Sequence, residues 1–373
     1  MSRRAFLQLA AAACAGAACG AGRAPEPVSE DVLAFHRQSL VMDLHVDTLL
    51  WMRLLGYDIA KRHANLLPGS PFGWHMDLPR AADGGLDGAV LGLVINPRVV
   101  RPELGWELRL LARLERGSGL DQTLATLDLL AETARRHPQH LVFARSGSEV
   151  REAVAEGKFA GLAGLEGAHG IEDRVENVRA AYQRGLRMIG LVHFQASAAA
   201  YPMTVASFDG RGLTPFGFDL VAEMEGLGMV VDLAHLNAAG VDEALGAMRR
   251  PCVVSHTACR ALSDHARNLT DQQIRRVANA GGVVGLVVHR TFLGRPGVDG
   301  FLDHVEHALR VGGGAAVAIG SDWDGGIEPV EGLRDVRGLP YVTSGLLARG
   351  WPPGIVQKVL GENALRVLSE VCG

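Results

Sequence analysis

Short runs rich in valine, isoleucine and leucine alternate with helical stretches along most of this 373-residue chain. Such alternation predicts repeated strand–helix units and a parallel sheet. Eight strands are predicted, near residues 41–46, 88–95, 159–165, 187–193, 228–234, 251–255, 281–288 and 315–321. Eight strands with helical crossovers favour an α/β fold of the (β/α)8 TIM-barrel type over two smaller domains. A further apolar run at 141–144 leaves a ninth strand open.

Helix signals occupy the connections between these strands. Residues 121–136 carry leucines at helical spacing, and Thr214 with Pro215 forms an N-cap and first-turn pair. Thr270 and Gln273 form a capping box before another helix. The predicted helices are therefore 121–136, 216–227, 271–280 and a closing helix within 352–368.

The N-terminus has the features of a bacterial export signal. Arg3 and Arg4 precede an apolar stretch that is too short to span a bilayer, as in a twin-arginine signal. We expect residues 1–24 to be this signal and residues 25–373 to be one catalytic barrel, exported to the periplasm or cell envelope. The sequence before Cys19 resembles a lipoprotein cleavage box, which predicts a lipid anchor there, with ordinary cleavage nearby as the alternative.

Composition excludes several classes of protein. The apolar fraction of 48% and the charged fraction of 21% are typical of a soluble globular protein. A formal net charge of -4 offers no basic surface for nucleic acid. After removal of the signal, Cys252, Cys259 and Cys372 remain, an odd number without a CxxC pair. The sequence therefore predicts a core without disulfide staples.

Ionisable residues stand where the first apolar strand ends. Alternate residues of a strand face the same side, so Asp43, His45 and Asp47 are expected to project together while Leu44 and Val46 pack outward. An unpaired charge inside a barrel costs several kcal/mol. A metal ion would satisfy this row of side chains.

Other strands end in the same kind of residue. The carboxyl ends of the strands are where barrel active sites lie, and the residues found there are Glu166, His193, His235, His256 and Asp322. One such histidine would usually be structural, but repetition over several strand ends predicts a metal site. We interpret His193 as a hydrogen-bond donor to a developing oxyanion. Arg267, in the loop after the sixth predicted strand, could bind a substrate carboxylate through two hydrogen bonds.

The ligand types favour zinc, with manganese, cobalt or iron as alternatives. Three histidines and two carboxylates exceed the needs of one catalytic zinc, so two metals that share a carboxylate fit better. Two metals about 3.5 to 4 Å apart share a hydroxide and polarise the attacked carbonyl.

Two histidines far from the strand ends are not expected to bind metal. His304 and His307 stand beside acidic residues on a helix and are expected to lie on a solvated face.

Taken together, the motifs resemble the membrane (renal) dipeptidase family of zinc peptidases. The resemblance covers residues 40–368 in the family's order, and rests on HVD at 45–47, EGAH at 166–169, DLAH at 232–235, VSH at 254–256, RNL at 267–269 and GSDWDG at 320–325, extended by WHMDLPR at 74–80 and GENALRVL at 361–368.

This resemblance implies a dinuclear zinc dipeptidase that hydrolyses dipeptides, including those with a D-residue at the carboxyl end. It implies that Glu166 bridges two Zn2+ ions, one also held by His45 and Asp47 and the other by His235 and His256. It also implies that His193 contacts the tetrahedral intermediate, that Arg267 holds the dipeptide carboxylate and that Asp322 handles protons. A small-molecule dipeptide is the expected partner, and a homodimer is left open.

Two differences from the family put the choice of substrate in question. The second predicted strand reads Val90 to Leu93, without the aromatic residues common in the family, and the seventh ends in His289 to Phe292 where Asn-Phe is common.

Two other functions are alternatives to a dipeptidase. The alternative enzyme is another dinuclear amidohydrolase, acting on a cyclic amide or lactone. Such barrels commonly carry HxH on strand one and a carboxylated lysine, whereas this chain has HxD and none of its three lysines ends a strand. A non-enzymatic metal-binding protein is disfavoured because every proposed ligand is present.

Overall fold

A computed structural model describes residues 27–64, 74–95, 117–208 and 210–373. The predicted export signal and Cys19 lie outside these ranges. Nine strands lie within them: β1 Met42–Val46, β2 Gly88–Val94, β3 Leu141–Phe143, β4 Phe159–Glu166, β5 Leu186–Gly190, β6 Val230–Asp232, β7 Val253–Thr257, β8 Val283–Leu286 and β9 Val317–Ile319.

Eight of these strands close into a parallel barrel. Each pairs with two neighbours in the order β1, β2, β4, β5, β6, β7, β8, β9, and β9 pairs with β1 again. The remaining strand, β3, pairs with the first residues of β4, whereas β5 pairs with later ones. The predicted (β/α)8 barrel is therefore confirmed, and the run at 141–144 is a short ninth strand outside the ring.

Helices connect the strands. Their bounds are α1 Glu30–Gln38, α2 Thr48–Leu55, α3 Leu78–Gly84, α4 Gly119–Arg136, α5 Gly147–Ala155, α6 Val175–Gln183, α7 Pro215–Leu227, α8 Ala238–Ala247, α9 Asp271–Asn279, α10 Arg290–Leu293, α11 Gly297–Gly312, α12 Leu339–Ala348, α13 Pro353–Gln357 and α14 Asn363–Cys372. Short 3-10 turns cover Ala168–Ile171, Ala206–Phe208 and Val336–Gly338.

The predicted helix starts are confirmed. The Thr214 hydroxyl accepts the N–H of Gly217 at 3.1 Å. Thr270 and Gln273 form the reciprocal pair of a capping box, with the Thr270 N–H donating to Gln273 Oε1 at 2.9 Å. These bonds satisfy N–H groups that a helix leaves without an internal partner, which is why sequence alone located them. Among the described helices, none has both the length and the apolar character needed to cross a bilayer.

The C-terminal helix covers the amino-terminal end of the barrel. Its residues Leu365, Leu368 and Val371 belong to one buried cluster with Met42 of β1 and Val230 of β6. A larger cluster joins the remaining strand residues to the surrounding helices. The amino-terminal end of the barrel is therefore filled by apolar side chains.

A π-helical segment, Lys358–Glu362, joins α13 to α14. Gly361 in this segment lies against the start of β1, where an added Cβ would be 2.5 Å from the Leu40 carbonyl oxygen. The close contact between helix and strand therefore depends on the missing side chain.

Gly361→Ala is expected to lower the free energy of unfolding by about 1–3 kcal/mol, because the added methyl overpacks a buried contact. Gly354→Ala is the matched control, since Gly354 is also helical and a Cβ added there would have nothing within 4 Å. That control should be neutral or more stable by up to about 1 kcal/mol. Urea denaturation of both variants measures the difference, and equal effects would contradict the close-contact explanation.

Two barrel strands carry an irregularity where candidate ligands lie. The register of β1 against β2 shifts between Asp43 and Val46, and that of β7 against β8 shifts between Val254 and Thr257. Bulges of this kind re-aim side chains beside active sites. They also break the strict alternation on which the sequence prediction for the first strand depended.

The predicted row of Asp43, His45 and Asp47 is consequently only partly correct. Leu44 packs with Met42 and the C-terminal helix, instead of packing outward as predicted. Asp43 turns to the backbone, where its Oδ1 accepts the N–H of His45 at 2.9 Å and the N–H of Ser321 at 3.0 Å. It supports the strand ends and stands outside the group of candidate metal ligands.

Candidate metal centre

Five side chains from four strand ends meet at the carboxyl end of the barrel. His45 lies in β1 and Asp47 directly follows that strand, while Glu166 is the last residue of β4. His235 follows β6 by three residues, and His256 lies within β7. All five are at most 5% exposed. The parallel barrel brings them together because all its strands end at the same rim.

The carboxylate of Glu166 is the centre of this group. Its Oε1 lies 3.0 Å from Nε2 of His235, 3.5 Å from Nε2 of His256 and 3.7 Å from Nε2 of His45. His45 Nε2 is in turn 3.2 Å from Asp47 Oδ1. Two sets of candidate ligands therefore overlap at Glu166, one completed by His45 and Asp47 and the other by His235 and His256.

The donor atoms fit divalent cations. Within the described residues, His45 Nε2, Asp47 Oδ1 and Glu166 Oε2 are buried and have no hydrogen-bond partner. The Nε2 atoms of His235 and His256 are 2.9 Å apart, a distance that requires a proton or a cation between them. Buried polar atoms are rarely left without partners, and this mixture of imidazole and carboxylate is a typical donor set for zinc.

Burial and the mutual charges of the cluster shift the pKa values of its members. Burial and the charge of Asp47 raise the pKa of Glu166 well above its ordinary value. Burial acts to lower the pKa of His45, but Asp47 and Glu166 outweigh it and raise that pKa well above the usual value. Burial holds the pKa of both His235 and His256 well below the usual value. These two imidazoles are therefore neutral at neutral pH, the state in which histidine binds metals.

His193 and Asp322 border the cluster. His193 follows β5 by three residues, and its Nε2 lies 3.3 Å from Glu166 Oε2. Asp322 follows β9 and forms a third close group with His45 and His256. Its backbone is left-handed, with φ of 65°, and its N–H donates to the His45 carbonyl at 3.0 Å. A left-handed non-glycine residue is strained, and such strain clusters at functional sites.

Arg267 brings a buried cation to the same end of the barrel. Its side chain is 2% exposed, and its NH2 donates to the His256 carbonyl at 3.3 Å. The guanidinium also lies 3.4 Å from the Met203 sulfur and 5.7 Å from the centre of the Phe292 ring. Burial lowers the pKa of this guanidinium, and three carboxylates among the described residues act on it through their charge without a direct hydrogen bond, those of Asp322, Glu166 and Asp232. A buried guanidinium without a carboxylate partner has hydrogen-bond donors left over that suit an anionic group.

Four other histidines, three of them near the site, lie outside the candidate ligand groups. The Nδ1 of His265 accepts the Arg267 N–H at 3.1 Å, and the Nδ1 of His75 accepts the Asp324 N–H at 2.9 Å. His169 joins none of the candidate ligand groups. The prediction for His304 was wrong: its side chain is 1% exposed because Nδ1 accepts the Cys259 N–H at 2.9 Å, which draws the ring into the core.

Two further residues at the site were not singled out from the sequence. Asp232 is the first residue of DLAH and Ser255 is the second of VSH, and both are buried behind His256. Their place inside these motifs was the only signal. Lys61 and Lys358 are exposed and Lys158 pairs with Glu156 at 2.6 Å, so none of the three lysines belongs to the buried cluster.

A closed (β/α)8 barrel with a buried histidine and carboxylate cluster at its carboxyl rim defines a metal-dependent hydrolase. The family model described as membrane dipeptidase, peptidase family M19, matches residues 29–372. The chain belongs to this family and is a metal-dependent dipeptidase.

Solved structures agree with this assignment. A metallopeptidase from Rhodobacter sphaeroides, liganded with a phosphinate mimic of the dipeptide L-Ala-D-Ala, is 26% identical, with a TM-score of 0.78 over 89% of this chain and 99% of that one. A dipeptidase of family M19, dipeptidase AC, is 28% identical, with a TM-score of 0.76 over 90% and 99% of the two chains. A probable dipeptidase from Pseudomonas aeruginosa is 22% identical, with a TM-score of 0.78 over 92% and 98%, and shows the shared fold.

Proposed function

We propose that this protein is a dinuclear zinc dipeptidase in which Arg267 binds the free carboxylate of the substrate. The observation that carries the proposal is the buried guanidinium of Arg267, which has no carboxylate partner among the described residues and lies near enough to Asp322 and Glu166 for their charges to act on its pKa. A dipeptide places its carboxylate one residue from the bond to be broken. A receptor for that group beside the candidate metal ligands therefore suits dipeptides better than longer or carboxyl-blocked chains.

The five ligands would hold two zinc ions in the arrangement that the overlapping groups support. His45, Asp47 and Glu166 would hold one, and Glu166, His235 and His256 the other. When bound, the pair of ions would provide a nucleophile from water near neutral pH and polarise the scissile carbonyl.

The other polar residues complete the reaction. Asp322 would accept the proton of the attacking water and pass it to the leaving amine, as a carboxylate beside the candidate ligands His45 and His256 is placed to do. His193 would donate a hydrogen bond to the developing oxyanion from its Nε2, which already faces the cluster. Arg267 would hold the carboxylate, so that the peptide bond lies between these two groups.

We also propose that substrates include dipeptides with a D-residue at the carboxyl end. The support is the relative that binds a mimic of L-Ala-D-Ala, at 26% identity over nearly all of its length. Export through the signal at residues 1–24, with a lipid anchor at Cys19, remains part of the proposal and rests on the sequence features alone.

Arg267→Ala is expected to lower kcat/KM for dipeptides by about 10²- to 10³-fold, because a buried charge-assisted contact is worth roughly 2–5 kcal/mol. The same substitution should change kcat/KM for the matching dipeptide amide much less, since the amide lacks the anion. The assay uses dipeptides with L- and D-alanine at the carboxyl end, and their amides. An equal loss for acids and amides would show that Arg267 does not bind the carboxylate.

A further inference from the structure

Behind the candidate ligand His256 lies a fully buried chain of hydrogen bonds. Asp232 at the end of β6 accepts the Ser255 hydroxyl through Oδ2 at 2.6 Å. Ser255 Oγ is in turn 2.9 Å from Nδ1 of His256. The three residues are 2%, 0% and 1% exposed, so water does not compete for these bonds.

The direction of each bond follows from the number of hydrogens. Asp232 Oδ1 accepts the N–H groups of Ala234 and Ser255, at 3.0 and 2.8 Å, and the aspartate is therefore surrounded by donors. The Ser255 hydroxyl has one hydrogen, which it donates to Asp232. Its oxygen is then left to accept a hydrogen from His256 Nδ1. A neutral imidazole with a hydrogen on Nδ1 has a lone pair on Nε2.

We propose that Asp232 and Ser255 are positioning residues that fix the tautomer of His256 so that Nε2 is ready to bind metal. This inference rests on the proposed function, because it assigns the metal-binding atom of one proposed ligand. The lone pair faces the cluster, since Nε2 of His256 lies 2.9 Å from Nε2 of His235 and 3.5 Å from Glu166 Oε1.

The other two ligand histidines lack this support. Within the described ranges, Nδ1 of His45 and Nδ1 of His235 are buried without a hydrogen-bond partner. The orientation of metal-binding histidines is commonly held by a hydrogen bond at the second ring nitrogen, and loss of that bond costs about 10- to 100-fold in affinity or activity. The support is thus concentrated on one ligand, and the ion held by Glu166, His235 and His256 should depend on it most.

A similar aspartate–serine pair elsewhere in the barrel serves as a comparison. Asp43 Oδ1 accepts the backbone N–H of Ser321, as Asp232 Oδ1 accepts that of Ser255. The Ser321 hydroxyl, however, donates to the His45 carbonyl at 3.4 Å, accepts the Trp323 N–H at 3.1 Å and contacts no imidazole nitrogen. Ser321→Ala therefore removes a buried serine hydroxyl beside the site without changing a histidine tautomer.

Asp232→Asn and Ser255→Ala separate the two parts of the chain of hydrogen bonds. In Asp232→Asn the amide nitrogen would donate to Ser255, so the hydroxyl would donate to Nδ1 and the imidazole hydrogen would move to Nε2. An aspartate-to-asparagine change selects the wrong histidine tautomer in the same way in serine proteases. In Ser255→Ala the ring loses its partner, and both tautomers become populated.

Two measurements test the inference on the full-length protein. Nitrogen-15 NMR of the metal-free, histidine-labelled enzyme near pH 7 should show hydrogen on Nδ1 of His256 in the native protein, on Nε2 in Asp232→Asn and on both in Ser255→Ala. Competition with a zinc chelator should show one of two ions weakened by about 10- to 100-fold in both variants and neither weakened in Ser321→Ala. Thermal melting curves of the metal-free proteins identify any variant that fails to fold, in which case Ser255→Ala carries the test.

An unchanged tautomer in Asp232→Asn, or equal zinc loss in Ser321→Ala, would overturn the inference. The NMR measurement needs neither metal nor substrate. A native protein that bound no zinc and cleaved no dipeptide would therefore defeat the proposed function, while the tautomer result would still report on Asp232 and Ser255 alone.

Discussion

Glu166→Gln is expected to lower kcat/KM for a dipeptide by about 10⁴-fold and to reduce bound zinc below two ions per chain. The substitution keeps the shape of the side chain but removes its charge and one of its oxygens. No other described residue replaces it, because Glu166 Oε1 alone lies within 3.7 Å of Nε2 of all three histidines. Both candidate ion positions include this carboxylate, so the loss should affect both.

Metal analysis of the purified variant and steady-state kinetics measure this prediction together. Glu176→Gln is a suitable control, since Glu176 is an exposed glutamate at the start of α6 and has no contact with the cluster. That control should match the native enzyme in zinc content and kcat/KM. Two firmly bound zinc ions and near-native activity in Glu166→Gln would exclude the bridging role.

Asp322→Asn is expected to lower kcat by about 10²- to 10⁴-fold with little change in KM and with two zinc ions still bound. The amide keeps the size of the side chain but cannot accept and return a proton. The local backbone should tolerate the change, because asparagine is among the residues that adopt the left-handed conformation found there, with φ of 65°.

Zinc content decides between two roles for Asp322. The carboxylate lies close enough to His45 and His256 to bind metal as well as to carry a proton. Loss of one zinc ion in Asp322→Asn would identify a ligand, and a native kcat would remove the residue from the reaction altogether. Asp219→Asn, at an exposed position of α7, should leave both zinc content and kcat unchanged.

The barrel and the location of its polar cluster could be predicted because both depend on local patterns. Apolar runs and capping residues predicted strands and helices, and in a parallel barrel every strand ends at one rim. His45, Asp47, Glu166, His235 and His256 are brought together for that reason. The prediction that Glu166 bridges two ions came from the family resemblance, since spacing along the chain does not indicate which carboxylate lies at the centre.

Features that depend on bulges and on long-range contacts could not be predicted. The register of β1 shifts after Asp43, whose carboxylate accepts backbone N–H groups instead of joining His45 and Asp47. The burial of His304 depends on the Cys259 N–H, 45 residues away in sequence. Arg267 meets Met203 across 64 residues. Pairings of this kind are fixed by tertiary packing, and a single sequence carries no local signal for them.

The most direct test of the central claim is a zinc titration of enzyme stripped by chelator, with hydrolysis of a dipeptide followed at each addition. We expect an inactive metal-free enzyme whose activity returns fully only when two zinc ions are bound per chain. Hydrolysis that persists without metal, or that is complete with one ion, would contradict a dinuclear centre bridged by Glu166.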